Sequence, residues 1–426
     1  MQDLPDPLRV EPRGPLDASV RVPGSKSVTN RALVAAALAE GTSELSGALA
    51  SDDTEVMVAS LTALGCRLDV GSDPWRVVGR AGRLGAPAAP LFAGNSGTTA
   101  RFLTAAACLA DGPVVIDGTA RMRERPIDDL TRALAQLGGR CEILGARGCP
   151  PVRVAGGGLP GGDATIDARR SSQYVSALLL AAPYAQRDVA LRFAGGELVS
   201  RPYVDLTLDV MHAFGALADW DGGSALYVRA GAHYWGKRYA IEADASSAAY
   251  PLCAAAIAGG RVRVLGLDPR TRQPDVSILD LLERMGCRAV RGEDWAEVQG
   301  PAGRLAGIDV DMNALPDAVL ALAVVALFAA GPTRIRNVAN LRIKETDRLA
   351  ALETELRKLG ARATASADSL TIEPGPLRPA VIDTYDDHRM AMAFALAGLR
   401  VPGVAIRDPR CVSKTWPDYF AMLAQL

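Results

Sequence analysis

AVLALAVVALFAAGPTRIRN (318–337), DRLAALETELRKLG (347–360), ARATA (361–365) and SLTIEP (369–374) follow one another along a single stretch of chain. The first begins with an apolar run, Ala318–Ala330, that offers no polar face, so a helix here is buried on every side. Gly331 and Pro332 interrupt it, and TRIRN then reads as a short strand. In the second piece Leu349, Leu352, Leu356 and Leu359 keep helical spacing, and Gly360 stands where a helix takes a left-handed cap. The last two pieces are short β-like runs. One unit therefore reads helix, strand, helix, strand, strand.

The same pattern recurs through the chain. LTALG, LAQLG, MHAFG, LERMG and LRKLG end at Gly65, Gly138, Gly215, Gly286 and Gly360, spaced by 73, 77, 71 and 74 residues. A second series, AEGTSELSG, ADGPVVIDG, AQRDVALRFAG, AGGRVRVLG, AAGPTRIRN and LRVPGVAIRD, puts a turn before a strand after each apolar helix. Six units account for 426 residues, but the sixth stops at Leu426, after its outer helix PDYFAMLAQL. The N-terminus supplies two strands with no unit of their own, LRVEP and SVRVPG. The simplest closure has both complete the sixth unit. That predicts one domain of residues 1–23 with 244–426 and a second of residues 24–243.

Composition narrows the function. Lys+Arg (47) nearly cancels Asp+Glu (48), so no general field attracts nucleic acid, and an anionic partner must meet a local cluster. The longest apolar run is too short to cross a bilayer, and MQDLPDPLRVEP has neither the basic nor the apolar region of a signal peptide. A soluble, cytoplasmic protein is expected. The seven cysteines include no C-x-x-C pair, which speaks against a zinc site and a disulfide framework. Only five of the basic residues are Lys: Lys26, Lys237, Lys344, Lys358 and Lys414. Where Arg serves as the generic cation, a retained Lys marks a need for a compact, titratable ammonium.

If the apolar helices are buried, their N-terminal ends carry the information. These read GSKSVTNR (24–31), GNSGTTAR (94–101), RRSSQY (169–174), EADASSAAY (242–250), NALPDA (313–318) and YDDHRM (385–390). Ser, Thr, Asn and Asp there are ordinary caps, worth about 1 kcal/mol each. Capping does not account for Lys26, Arg31, Arg101, Arg169, Arg170 and Arg389, because a cation opposes the dipole at a helix start unless an anion compensates it. Phosphate and carboxylate binding at converging helix starts is therefore expected. Three loops add charge: GTARMRERPID with Arg121, Arg123 and Arg125, ANLRIKETDR with Arg342, Lys344, Glu345, Asp347 and Arg348, and DPRCVSKTWPDYF with Lys414. Arg123 reads as a surface charge.

PGSKSVTNRAL, GNSGTTAR, RMRERPI, SSQY, SRPY, DASSAAY, NALPDA, NLRIKETDRL, YDDHRMAMAFAL and SKTWPDYF together resemble, in order and over nearly the whole chain, the motif series of the 3-phosphoshikimate 1-carboxyvinyltransferase (EPSP synthase) family. The resemblance implies an α/β fold of two domains, each of three βαβαββ units: the inside-out α/β barrel of the enolpyruvyl transferases. It implies transfer of the enolpyruvyl group of phosphoenolpyruvate (PEP) to the 5-hydroxyl of shikimate 3-phosphate. No metal or organic cofactor is implied, and neither a nucleic-acid nor a membrane partner. A monomer is expected, with glyphosate as an inhibitor at the PEP site.

Motif by motif, the resemblance assigns Lys26, Ser27, Arg31, Ser171, Ser172, Gln173, Ser200, Tyr203, Asp317, Asn340 and Lys344 to shikimate 3-phosphate. It assigns Lys26, Asn95, Gly97, Thr98, Arg121, Gln173, Glu345, Arg348, Arg389 and Lys414 to PEP. Asp317 is the expected base for the 5-hydroxyl and Glu345 the expected proton donor to the methylene carbon, with Lys26, Lys344 and His388 also catalytic. The division of acid and base work among Asp317, Glu345 and Lys26 stays open. Departures are small: Asp386 stands where Asn is common, Arg201 where Lys is common, and Ser96 precedes Gly97. His212 and His233 match no motif. The sister family, UDP-N-acetylglucosamine enolpyruvyl transferase, carries a reactive Cys in the loop that here reads GTARMRERP, which has none. A catalytically silent relative would be expected to lack Asp317, Glu345 or a Lys, and all are present.

Overall fold

Three helices buried on every side form the centre of each of two compact units. The computed structural model describes residues 4–426. One unit takes the described residues through Pro23 together with Glu242–Leu426, and the other takes Gly24–Ile241. In the Gly24–Ile241 unit the buried helices are Lys26–Leu38, Gly97–Ala106 and Ser172–Ala181, packed on one another. In the other unit they are Ala245–Ala258, Val319–Val325 and His388–Gly398, likewise packed together. The helix Ala245–Ala258 exposes nothing along its length. Each unit has one continuous apolar core.

The apolar run 318–330 yields less α-helix than its length suggests. Pro316–Ala318 and Ala326–Phe328 are tighter 3₁₀ turns flanking Val319–Val325. No helix among the described residues is long and apolar enough to cross a membrane.

Among the described residues there are five four-stranded sheets and one of three strands. In the sheet of Leu91–Phe92, Val114–Asp117, Val152–Val154 and Cys141–Ile143, the first two strands run parallel and the last two add an antiparallel hairpin. A parallel pair needs a crossover, and the buried helix Gly97–Ala106 supplies it. Gly162–Ala168, Asp309–Asp311 and Val381–Ile382 hold the same leading position in their sheets. These leading strands complete the βαβαββ unit. Three of the four are only two or three residues long, too short for an alternating pattern, so the five-element repeat omits them.

The two N-terminal strands do not both complete the sixth unit. Leu8–Arg9 does, pairing antiparallel with Ala405–Ile406. Leu16–Arg21 instead runs parallel to Gly260–Leu265, as the leading strand of the fourth sheet. That position is vacant because Arg238–Ala240, which precedes the fourth buried helix, stays in the other unit and pairs with Glu44–Ser46. At each passage between units the chain leaves its leading strand behind. An edge with unpaired backbone groups invites such a partner, and Leu16 and Val20 bury their side chains in taking it.

The register brings Leu16 opposite Gly260, whose φ is +79°. A Cβ at Gly260 would stand 2.0 Å from the Leu16 carbonyl oxygen and 2.5 Å from its nitrogen. Gly260→Ala is therefore expected to destabilise the protein by about 2–4 kcal/mol, combining strain and overpacking. Gly303→Ala, with nothing within 4 Å, is the neutral control. Urea unfolding of both variants checks this.

Candidate active site

Side chains cap five of the six buried helices at their starts. Ser25, Ser96, Ser171, Asp244 and Asp387 accept from Val28, Thr99, Gln173, Ser247 and Arg389 backbone N–H groups respectively. The remaining helix, Val319–Val325, has no side-chain cap. Its nearby acid, Asp317, serves cations instead.

In the Gly24–Ile241 unit, Lys26 is the first residue of its helix and meets Asp53 at 2.9 Å. Arg31, one turn on, is almost wholly buried. It donates to the Ser27 carbonyl (2.8 Å), Thr207 Oγ1 (2.8 Å), the Tyr203 carbonyl (3.1 Å) and Ser176 Oγ (3.3 Å). Its guanidinium also lies 5.3 Å from the centre of the Phe102 ring. All four acceptors are neutral. Burial lowers the Arg31 pKa to about 10, so it stays charged at neutral pH. A buried cation held by neutral groups keeps its attraction for an anion.

A second cluster surrounds Gly97. Arg125 donates to the Asn95 carbonyl (2.8 Å) and Asn95 Oδ1 (3.0 Å). A Cβ on Gly97 would lie 2.7 Å from Arg125 Nη2, 2.9 Å from Gln173 Oε1 and 3.3 Å from Arg101 Nη1. Glycine is thus what lets these three polar groups approach the helix start. Thr98 accepts from Asn30 at 2.8 Å, and Ser172 is buried beside the Ser171 cap. Ser200, buried with φ +53°, begins the helix Arg201–Ala213 that carries Tyr203 and Thr207. Arg121 pairs with Glu124 at 3.0 Å, Arg123 pairs with Asp117 at the surface, Arg169 pairs with Asp167, and Arg170 is shared by Asp128 and Asp129.

The other unit gathers three cations and three carboxylates. Arg348, 1% exposed, donates to Asp387 through Nε (2.8 Å) and Nη2 (3.2 Å), and to Asp317 through Nη1 (3.1 Å). Its Nη2 also lies 2.9 Å from Glu345. Arg389 reaches the second Asp317 oxygen at 2.9 Å, and Lys344 stands 3.6 Å from the first. His388 is fully buried, its Nδ1 3.6 Å from Asp387. Asn340 and Lys414 are buried in the 3₁₀ turns Ala339–Ile343 and Pro409–Lys414.

Burial opposes ionisation of Asp317, but Arg389, Lys344 and Arg348 outweigh it and hold the carboxyl well below the usual carboxylate range. Arg348 is likewise desolvated, yet Asp387, Glu345 and Asp317 hold its pKa above the ordinary value. The cluster contains basic and acidic groups within one ion-paired set, suited to moving protons beside an anion.

Three contributors escaped the sequence reading, Asp53, Thr207 and Ser176, and a fourth, Arg125, was visible there only as loop charge. Asp53 looks like any acid in a first helical turn, and Arg125 is one of three arginines in one loop; only burial separates it from Arg123. Cys66 and Cys287, raised by burial to about 11 and 12, are poor thiolates and pack rather than react. His233 stacks on Tyr184 at 4.6 Å, and His212 bonds the Ala218 carbonyl at 2.5 Å.

Buried cations set at the starts of apolar helices, with carboxylates among them, give an α/β protein whose site chemistry is suited to small anions. The chain belongs to the EPSP synthase (3-phosphoshikimate 1-carboxyvinyltransferase) family, whose model matches residues 10–423. It is 46% identical over 414 residues to a 3-phosphoshikimate 1-carboxyvinyltransferase of Nostoc punctiforme, covering 97% of each chain. It is 46% identical over 424 residues to that of Yersinia pseudotuberculosis, covering 98% of each. Among solved structures it superposes on an EPSP synthase from Acinetobacter baumannii with a TM-score of 0.80 and 27% identity, over 98% of this chain and 97% of the other. An enolpyruvyl transferase of Streptomyces tendae, 20% identical, shares the fold with a TM-score of 0.78 over 99% and 98%.

The depressed Asp317 gives a signed pH dependence. Below about pH 4 the unfolded chain takes up a proton here that the folded chain refuses, so this contribution to stability is present at neutral pH and lost on acidification. Asp317→Asn is expected to be less stable than wild type at pH 7, with the gap narrowing towards pH 3. Urea midpoints measured across that range check both the sign and the window.

Proposed function

We propose that this chain transfers the enolpyruvyl group of PEP to the 5-hydroxyl of shikimate 3-phosphate, releasing inorganic phosphate. The observation that carries this reading is the Asp317–Arg348–Arg389–Lys344–Glu345 cluster in a chain of this family. In the addition step the hydroxyl oxygen bonds to C2 of PEP while the hydroxyl loses its proton and the methylene carbon gains one. The tetrahedral adduct then loses a proton from the new methyl group and expels phosphate, regenerating the double bond.

Each step needs a base and an acid at fixed places, typically worth about 10²–10⁴-fold each. Asp317 is ionised at neutral pH and is assigned to orient and deprotonate the 5-hydroxyl. Glu345 is assigned to the methylene carbon, with Lys344 between the substrates and His388 beside them. Arg348, Arg389 and Lys414 are assigned to PEP, as are Asn95, Gly97, Thr98, Gln173 and Arg121. Ser27, Arg31, Ser171, Ser172, Ser200, Tyr203 and Asn340 are assigned to shikimate 3-phosphate. Arg31 supports the anion role best, because its partners within the protein leave its charge unneutralised. Arg125 joins the PEP group through its bonds to Asn95. Fixed cations of this kind stabilise developing charge without reorganisation.

Phosphate release coupled to a chromogenic assay, with both substrates present, tests the activity directly; no release from folded protein refutes it. Lys26→Met is expected to abolish most turnover while the protein stays folded. Lys26→Arg is expected to rescue poorly, since a planar guanidinium does not replace a compact ammonium in the 2.9 Å contact with Asp53. Gly97→Ala places a methyl group against Arg125 and Gln173, flexible ends that yield into the ligand space. It is expected to weaken glyphosate, the longer ligand, more than PEP, by about 1–3 kcal/mol. Inhibition constants beside the KM for PEP decide this, and equal losses would refute the steric account.

A further inference from the structure

Arg348 and Glu355 lie two turns apart on one face of the helix Arg348–Lys358, about 10 Å along its axis. Both grip the same stretch of chain. Arg348 holds Asp387, and Glu355 holds Asp383 and Tyr385. The Glu355 carboxylate is completely buried. It accepts from the Asp383 backbone N–H (3.1 Å) and from the Tyr385 hydroxyl (2.7 Å). Lys358 neutralises it at 2.8 Å and reaches Asp383 at 2.6 Å, while Arg407 pairs with the other Asp383 oxygen.

Between the two grips the backbone is strained. Tyr385 and Asp386 are consecutive non-glycine residues at φ +57° and +55°, a region that Asp enters fairly readily but a bulky Tyr rarely does without its surroundings imposing it. This left-handed pair turns the chain into Asp387, the cap of the helix that carries His388 and Arg389. Burial and the bond to Glu355 raise the Tyr385 pKa, so its hydroxyl stays protonated and donates.

We propose that Glu355 is a positioning residue for the reaction: through Tyr385 and Asp383 it forces the left-handed turn that sets Asp387 and Arg389 around Arg348. Glu355 touches no substrate; it acts through Asp387 and Arg389. The proposal rests on the reading that Arg348 and Arg389 hold PEP.

The test is initial-rate kinetics in PEP at saturating shikimate 3-phosphate, on full-length wild type, Tyr385→Phe, Tyr385→Gly and Glu355→Gln. Tyr385→Phe removes one hydrogen bond and leaves the strain. It is expected to raise the KM for PEP about fivefold or more, with kcat within about twofold and little change in thermal midpoint. Tyr385→Gly removes the anchor and the strain together, so it is expected to recover part of that loss. A folded Glu355→Gln is expected to match or exceed the Tyr385→Phe defect; if it fails to fold, the two Tyr385 variants decide. An unchanged KM in Tyr385→Phe overturns the proposal. So does a fall in kcat at constant KM, the mark of a smaller active fraction, or a glycine variant no better than phenylalanine.

Wild type inactive on these substrates would refute the substrate reading instead. Crystal structures of wild type and Tyr385→Phe would then judge the clamp. Asp387 unmoved against Arg348 in the variant overturns it, and Asp387 withdrawn from Arg348 supports it.

Discussion

A helix surrounded by protein on all sides can place polar chemistry only at its ends. Three such helices, rich in Ala, Leu and Val, form the centre of each unit. Their flanks are needed for packing, where each buried Leu or Val contributes about 1.5–3 kcal/mol. Their starts carry free N–H groups and partial positive charge, and there the Ser, Asp, Arg and Lys residues collect. The same constraint that stabilises the core thus decides where anions can be met.

The two units use their helix starts differently. In Gly24–Ile241 the most buried cation, Arg31, is held by carbonyls and hydroxyls, which satisfy its donors without cancelling its charge. In the other unit Arg348 is ringed by Asp317, Glu345 and Asp387, and Lys344 and Arg389 restore the balance. An uncompensated cation suits gripping phosphate, whereas a balanced cluster suits proton transfer, because it sets an ionised Asp317 close to donors. Leaving a carboxylate out of that set strands a buried guanidinium, a loss of about 3–5 kcal/mol by analogy with broken buried pairs. The chemistry and the stability of this unit therefore depend on the same bonds.

Most of this was legible in the residues. The apolar runs, the recurring Gly steps and the turn-plus-strand pieces predict six similar units, and the cations at helix starts predict anion sites. The motif series carries the family. What escaped detection has physical causes. Two- and three-residue leading strands carry no period. Asp53 and Arg125 have the same local chemistry as surface neighbours and differ only in burial, which depends on residues far away in sequence. That Leu16–Arg21 leads the fourth sheet and does not complete the sixth unit was not legible, because nothing in its own composition names the strand it pairs with.

Periodicity, apolar runs and turn residues are local quantities, so the sequence alone determined the number of units, the buried and outer helices, and the residue types at each helix start. Pairing and burial are not local. Only the tertiary structure decided that two leading strands stay behind as the chain passes between units, because an open sheet edge takes whichever strand the remaining connections leave available. It also decided that Asp317 faces three cations while Arg31 faces none but neutral groups. Both depend on side chains brought together across tens to hundreds of residues, where charge acts through distance in space and not along the chain.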